Sequence, residues 1–167
     1  LTEDDYQAMY ESISNGTNMK TAFERVAELV EAAGSQVSGC PTRTFLMVTD
    51  GNPDRNGDPI KEPDLRPYME DVESIVDGFL GEDDLLFVTA INDDNSIDNY
   101  WRDTEQYWLQ ITREQNRTDP KEPARAEQVS SKAEIGFRID KIINHRLHKG
   151  ISSAQAGPNV LPPYLER

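Results

Sequence analysis

Cysteine is nearly absent. Cys40 stands alone, so no internal disulfide can staple the fold. Beside Pro41, with no histidine or other base near it in sequence, it also lacks the setting of a nucleophile. Histidine is almost as scarce. His145 and His148 carry no Cys or carboxylate ligand pattern, and they read as cations at a helix C-terminus rather than as zinc ligands. No window comes near the roughly 18 apolar residues of a membrane span, so membrane insertion is not expected. No basic-then-apolar leader opens the chain, which leans the reading toward a cytoplasmic setting. Basic residues are in deficit: 17 Lys and Arg against 31 Asp and Glu, a net charge of −14. Such a surface repels phosphate backbones, which excludes nucleic acid and anionic lipid as general partners. It confers solubility, and it favours a divalent cation or a basic partner. A phosphate-binding loop with Gly and Lys is missing, as is Gly-x-Ser-x-Gly, and no motif selects two carboxylates for acid–base work. The chain is therefore not expected to be an enzyme.

What is present is one domain's worth of alternating elements, 167 residues in all. Tyr6, Met9, Tyr10 and Ile13 predict a helix over about 3–13, and Ser14 to Asn18 a polar break. Met19, Ala22, Phe23, Val26, Ala27, Leu29, Val30 and Ala33 form one stripe, predicting a helix over 19–33 that Gly34 stops. Phe45-Leu46-Met47-Val48 is a continuous apolar run, which suits a strand covered on both faces in a parallel sheet. A loop at Asp50–Asp54 follows. Asp64–Leu80 predicts a helix with Pro67 in its first turn, and Leu85–Ile91 a second buried strand.

Ile97, Tyr100, Trp101, Tyr107, Trp108 and Ile111 suggest an aromatic-rich helix, its two tryptophans serving core packing rather than a ligand. Residues 113–127 read as a loop, with a short strand near Gln128-Val129. Ala133–Leu147 predicts a last helix with Ile135, Ile139, Ile142, Ile143 and Leu147 inward. Residues 149–167 read as a linker or tail. Strands alternating with helices imply an α/β fold with right-handed crossovers, a doubly wound, mostly parallel sheet flanked by helices. Two secure strands fall short of the five or six, roughly, that such sheets carry.

At two loops the residues resemble a known family. Ser14-Asn15-Gly16-Thr17-Asn18-Met19 before an amphipathic helix resembles the Gly-Gly-Thr-Asn loop of von Willebrand factor A domains. Phe45-Leu46-Met47-Val48-Thr49-Asp50-Gly51 resembles that family's apolar strand ending in Thr-Asp-Gly. Leu85–Ile91 and the helix opened by Ala133-Glu134-Ile135 are similar to its later elements, so the likeness covers about residues 1–148.

The resemblance implies a Rossmann-like fold and a metal-ion-dependent adhesion site. It assigns Thr17 as a ligand and Asp50 as a direct or water-mediated one to Mg²⁺, with Mn²⁺ or Ca²⁺ as alternatives. Such a hard cation takes oxygen ligands, and it would accept the Asp or Glu of a protein partner as a further one. The implied function is that of an adhesion or scaffold module. The alternative is a metal-independent interaction subunit of the same fold, such as those that partner AAA-type ATPases.

One departure is plain. The family's Asp-x-Ser-x-Ser, on its first strand, occurs nowhere in the chain. The sheet is therefore expected to be incomplete here, through a missing segment, a second chain that completes it, or degeneration of the site. Asp94-Asn95-Ser96-Ile97-Asp98 is the nearest string and reads as a helix N-cap loop. Asp50–Asp58 looks calcium-like but fails the EF-hand spacing, since Arg55 and Lys61 stand at its sixth and twelfth positions.

Overall fold

The computed structural model describes residues 18–34, 43–49, 53–55, 58–91 and 100–155. Helix α1 spans Met19–Gly34, strand β1 Thr44–Thr49, and the two-residue strands β2 and β3 Asp54–Arg55 and Asp58–Pro59. Helix α2 is Leu65–Phe79, strand β4 Leu85–Ile91 and helix α3 Tyr100–Ile111. A 3-10 turn, Glu114–Asn116, leads to strand β5, Ala126–Val129, and then to helix α4, Lys132–Gln155. The chain is thus mixed α/β. A three-stranded sheet of order β1-β4-β5 is parallel throughout, and β2 and β3 form a small antiparallel ribbon. This is compatible with a Rossmann-like arrangement.

The core follows from the strands' periodicity. Side chains alternate between the faces of a strand, so Leu86 and Val88 of β4 point one way and Leu85 and Phe87 the other. The first pair joins the main core with Met19 and Phe23 of α1, Met69, Val72 and Val76 of α2, and Trp108 and Ile111 of α3. The second pair meets Ile142 of α4. Helices therefore cover β4 on both faces, and it is buried along nearly its whole length, as its apolar run, interrupted only by Thr89, predicts. Both tryptophans pack in or against the core, Trp108 fully buried.

β1 behaves differently. Its continuous apolar run predicts cover on both faces, yet burial alternates along it. Phe45 and Met47 pack against the main core on the face shared with α1, α2 and α3. Leu46 and Val48, on the α4 face, are 44% and 47% exposed. The reason is position: β1 is the edge of the described sheet, and α4 lies over β4.

The last helix also departs from expectation. It runs on through Gln155, into the predicted linker, because Gly150 weakens a helix without breaking it and the first proline comes only at Pro158. Of its predicted inward residues Ile142 is buried and Ile135 and Ile139 are half-buried, whereas Ile143 is 45% and Leu147 58% exposed. The strand near Gln128-Val129 is present and starts two residues earlier, at Ala126. The predicted helix over 3–13 lies outside the described residues.

Two charged clamps fix the frame. Arg138 reaches from α4 to the sheet. Its Nε donates to Thr89 Oγ1 at 2.6 Å and its Nη2 to the Ala124 carbonyl at 2.8 Å, while Nη1 pairs with Glu127. At the other end of the sheet the buried carboxylate of Asp84 binds the start of β1. Arg43 N donates to Oδ1 at 2.7 Å, Arg43 Nη2 and Nε to Oδ2 at 2.6 and 2.9 Å, and Gly81 N to Oδ2 at 2.9 Å. A Cβ at Gly81 would come within 3.0 Å of that oxygen, so glycine lets the carboxylate fold back over the turn.

Burial by itself would raise the Asp84 pKa, but the hydrogen bonds from Arg43 and Gly81 outweigh it and hold the carboxyl below its usual range. A folded-state pKa below the unfolded value stabilises the fold above the unfolded pKa, about 3.9. That contribution is lost as pH falls through the folded pKa. Asp84→Asn is expected to cost about 2–3 kcal/mol in urea denaturation at pH 7. The deficit should shrink as the pH is lowered from about 4.

Candidate functional site

In open parallel sheets ligands bind beyond the carboxyl ends of the strands, where the strand order reverses. At that rim β1 ends in Thr49, which is buried, and α1 begins at Met19. Asn18 caps the helix. Its Oδ1 accepts from Thr21 N at 3.1 Å and its carbonyl from Ala22 N at 3.2 Å. The Tyr68 hydroxyl of α2 accepts from Lys20 N at 3.1 Å, and Lys20 Nζ pairs with Asp71 at 2.7 Å. Donors of the first helical turn are thus taken up by the protein itself, which disfavours reading this terminus as a phosphate cradle.

Between α1 and β1 runs a groove of about 570 Å³. One wall is the α1 stripe Met19, Ala22, Phe23 and Val26, at i, i+3, i+4 and i+7. The other is β1 itself, from Phe45 to Thr49. Phe79 and Leu86 complete the lining on the core side. Aromatic contacts hold its shape: Phe45 meets Phe79 edge-on at 5.2 Å, and Phe23 lies 6.3 Å from Phe79 and 6.4 Å from Trp108.

The open side of β1 has a definite backbone pattern. Leu85 N donates to the Arg43 carbonyl at 3.0 Å, and the parallel register pairs Thr44 with Leu85. Peptide groups alternate in direction along a parallel strand. Those of residues 43, 45, 47 and 49 therefore turn toward β4, and those of Thr44, Leu46 and Val48 turn away from it. Among the described residues no strand pairs with that outer edge.

The two residues assigned from sequence to a metal, Thr17 and Asp50, lie outside the described residues. Their immediate chain neighbours, Asn18 and Thr49, line the same groove. Because Asn18 supplies the cap, the Thr17 hydroxyl is not needed for that task. A hydroxyl and a carboxylate are hard oxygen donors, the kind that Mg²⁺ takes, so the donor chemistry fits the cation in part. Among the described residues no group of three or more His, Cys, Asp or Glu is placed to hold a metal ion. His145 sits within α4 rather than at its end, 4.0 Å from Asp119. Cys40 and the Asp94–Asp98 string lie outside the described residues, as do parts of the calcium-like loop. No helix of the described residues is long and apolar enough to cross a membrane.

Comparison with protein-family models, with curated proteins and with solved structures finds no match to the chain.

An incomplete sheet was expected from sequence, but not the groove, nor that β1 would carry the open edge among the described residues. The signal was there: Thr44 to Thr49 carries neither charge nor proline, the usual guards of an edge strand. Asn18→Ala should remove the α1 cap and lower stability by about 1 kcal/mol, whereas Asn18→Gly should cost only a few tenths. Urea denaturation of the two variants measures the difference.

Proposed function

We propose that the chain is the larger part of a von Willebrand factor A-type domain and serves as a metal-dependent protein-binding module. The observation that carries the reading is the convergence of Asn18 and Thr49 on one groove at the carboxyl rim of a parallel sheet. Their neighbours Thr17 and Asp50 belong to the two sequence motifs that resemble the family. The doubly wound sheet expected of such a domain would extend beyond β1, whose outer edge is open among the described residues.

In this reading Thr17 contributes a neutral oxygen and Asp50 a carboxylate toward Mg²⁺, and further ligands come from an Asp-x-Ser-x-Ser strand outside this sequence. A bound Mg²⁺ would supply an electrophilic centre for a carboxylate of the partner. The chain's own share is the frame. The Asn18 cap fixes the start of α1, and the Arg43–Asp84 clamp holds the foot of β1 against β4. Recognition would then depend on the partner's acidic residue and on the loops around the rim, where variation tunes specificity without touching the core.

Isothermal titration of the complete domain with Mg²⁺ tests this. Binding is expected, with affinity lowered at least about tenfold by Thr17→Ala, a loss of about 1.4 kcal/mol. Asp50→Ala should act in the same direction. Binding of a protein partner that persists unchanged in EDTA would instead favour the metal-independent interaction subunit.

A further inference from the structure

We propose that His145, Asp119 and His148 hold a zinc ion that ties α4 to the segment between α3 and β5. The site shares no residue with the Mg²⁺ reading at the sheet rim and stands or falls apart from it.

The observation that carries it is a buried imidazole nitrogen without a partner. The His145 side chain is only 10% exposed, and its Nε2, sealed from solvent, has no hydrogen-bond partner among the described residues. Buried polar atoms are nearly always paired, so an exception asks for a reason. The carboxylate it faces is Asp119 Oδ2, 4.0 Å away, beyond hydrogen-bond reach. Two ligands of a tetrahedral Zn²⁺, each about 2.1 Å from the ion, stand roughly 3.4 Å apart. The pair is thus too wide for a direct bond and close to the spacing that one shared ion sets. Asp119 is 34% exposed, which gives an ion its way in.

Both donors sit on supports that are already fixed. Asp119 Oδ1 accepts from Lys121 N at 2.9 Å, and the Asp119 carbonyl accepts from Glu122 N at 3.0 Å, which leaves Oδ2 for an ion. Glu122 is anchored in turn: its carbonyl accepts from Arg117 Nη1 at 3.1 Å and its Oε1 from Arg125 Nε at 2.7 Å. On the helix side Ile142, buried with Leu85 and Phe87, seats α4 on the sheet. Arg138 already joins α4 to the same segment at the Ala124 carbonyl. His145 stands about two helical turns further on, where no such bond fastens the helix to that segment among the described residues. Ligands held this firmly lose little freedom on binding. A third ligand comes from spacing alone. His148 follows His145 by three residues in α4, and residues three apart are neighbours on a helix. Two imidazoles and a carboxylate, with water in the fourth position, are a ligand set that Zn²⁺ takes, and imidazole suits Zn²⁺ where Mg²⁺ prefers oxygen. Spacing in the sequence reads these histidines as helix-end cations, because Asp119 belongs to another segment and only the fold brings it near.

The test is isothermal titration of the full chain with Zn²⁺ in a large excess of Mg²⁺. One equivalent should bind. Asp119→Asn and His148→Ala should each lower the affinity at least about tenfold, and His145→Ala at least about a hundredfold. Zn²⁺ at about a hundred times its Kd should raise the melting temperature by roughly 5–10 °C, and His145→Ala should abolish the rise. Should His145→Ala fail to fold, the other two variants carry the test. Co²⁺ in place of Zn²⁺ should give the visible absorption of a low-coordinate site, and His148→Ala should change that spectrum. Cys40→Ser and Thr17→Ala should leave Zn²⁺ affinity unchanged. The proposal is overturned by an absence of binding, by several weak equivalents that the variants do not alter, by displacement with Mg²⁺, or by loss of binding in Cys40→Ser. Loss of Mg²⁺ binding with Zn²⁺ binding retained would sink the rim reading and leave this one standing, and the converse result would sink this one alone.

Discussion

Burying a strand on both faces is possible only when its peptide groups find partners within the sheet, and β4 meets that constraint through parallel neighbours on each side. The rest of the architecture hangs on this pairing. Leu86 and Val88 anchor the helices of one face, and Leu85 and Phe87 anchor α4 on the other. The two charged clamps sit at opposite ends of the same strand, Asp84 just before it and Thr89 near its end. β1 and β5 are in this sense fittings to β4. The difference between them is that β5 closes its side with a short, charged strand while β1 does not.

That asymmetry concentrates interest at the β1 edge. A groove walled by a helical stripe on one side and a strand on the other is the geometry of a sheet still able to grow. The rim of that groove, at Asn18 and Thr49, is also where parallel sheets bind ligands. Growth of the sheet and ligand binding are therefore proposed for neighbouring parts of one surface. They rest on different chemistry, peptide hydrogen bonding for the first and hard oxygen donors for the second.

Much of the fold was legible in the sequence because its signals are local. The α1 stripe from Met19 to Ala33, the largely apolar run from Leu85 to Ile91 and the spacing of Met69, Val72, Val76 and Phe79 each name an element by local pattern alone. What failed depended on neighbours. Phe45 to Val48 reads like Leu85 to Ile91, yet one strand is at an edge and the other at the centre, and composition does not tell them apart. Ile143 and Leu147 carry the period of an inward face, yet the described sheet does not reach them and both are exposed. Of the candidate site, the resemblance singles out Thr17 and Asp50, whereas the structure describes their neighbours and so brings Asn18 and Thr49 together. That Asn18 caps α1 rests on hydrogen-bond geometry, which no sequence period marks.

The claim beneath all of this is that, among the described residues, β1 has one bonded edge and one open edge. Residue-resolved amide exchange by NMR on the 167-residue chain measures it most directly. The amides of Phe45 and Met47, turned toward β4, should exchange slowly, while those of Leu46 and Val48 exchange fast, an alternation confined to β1. Equal protection at all four positions would contradict the account, because it would mean that the outer edge of β1 is already paired within these residues.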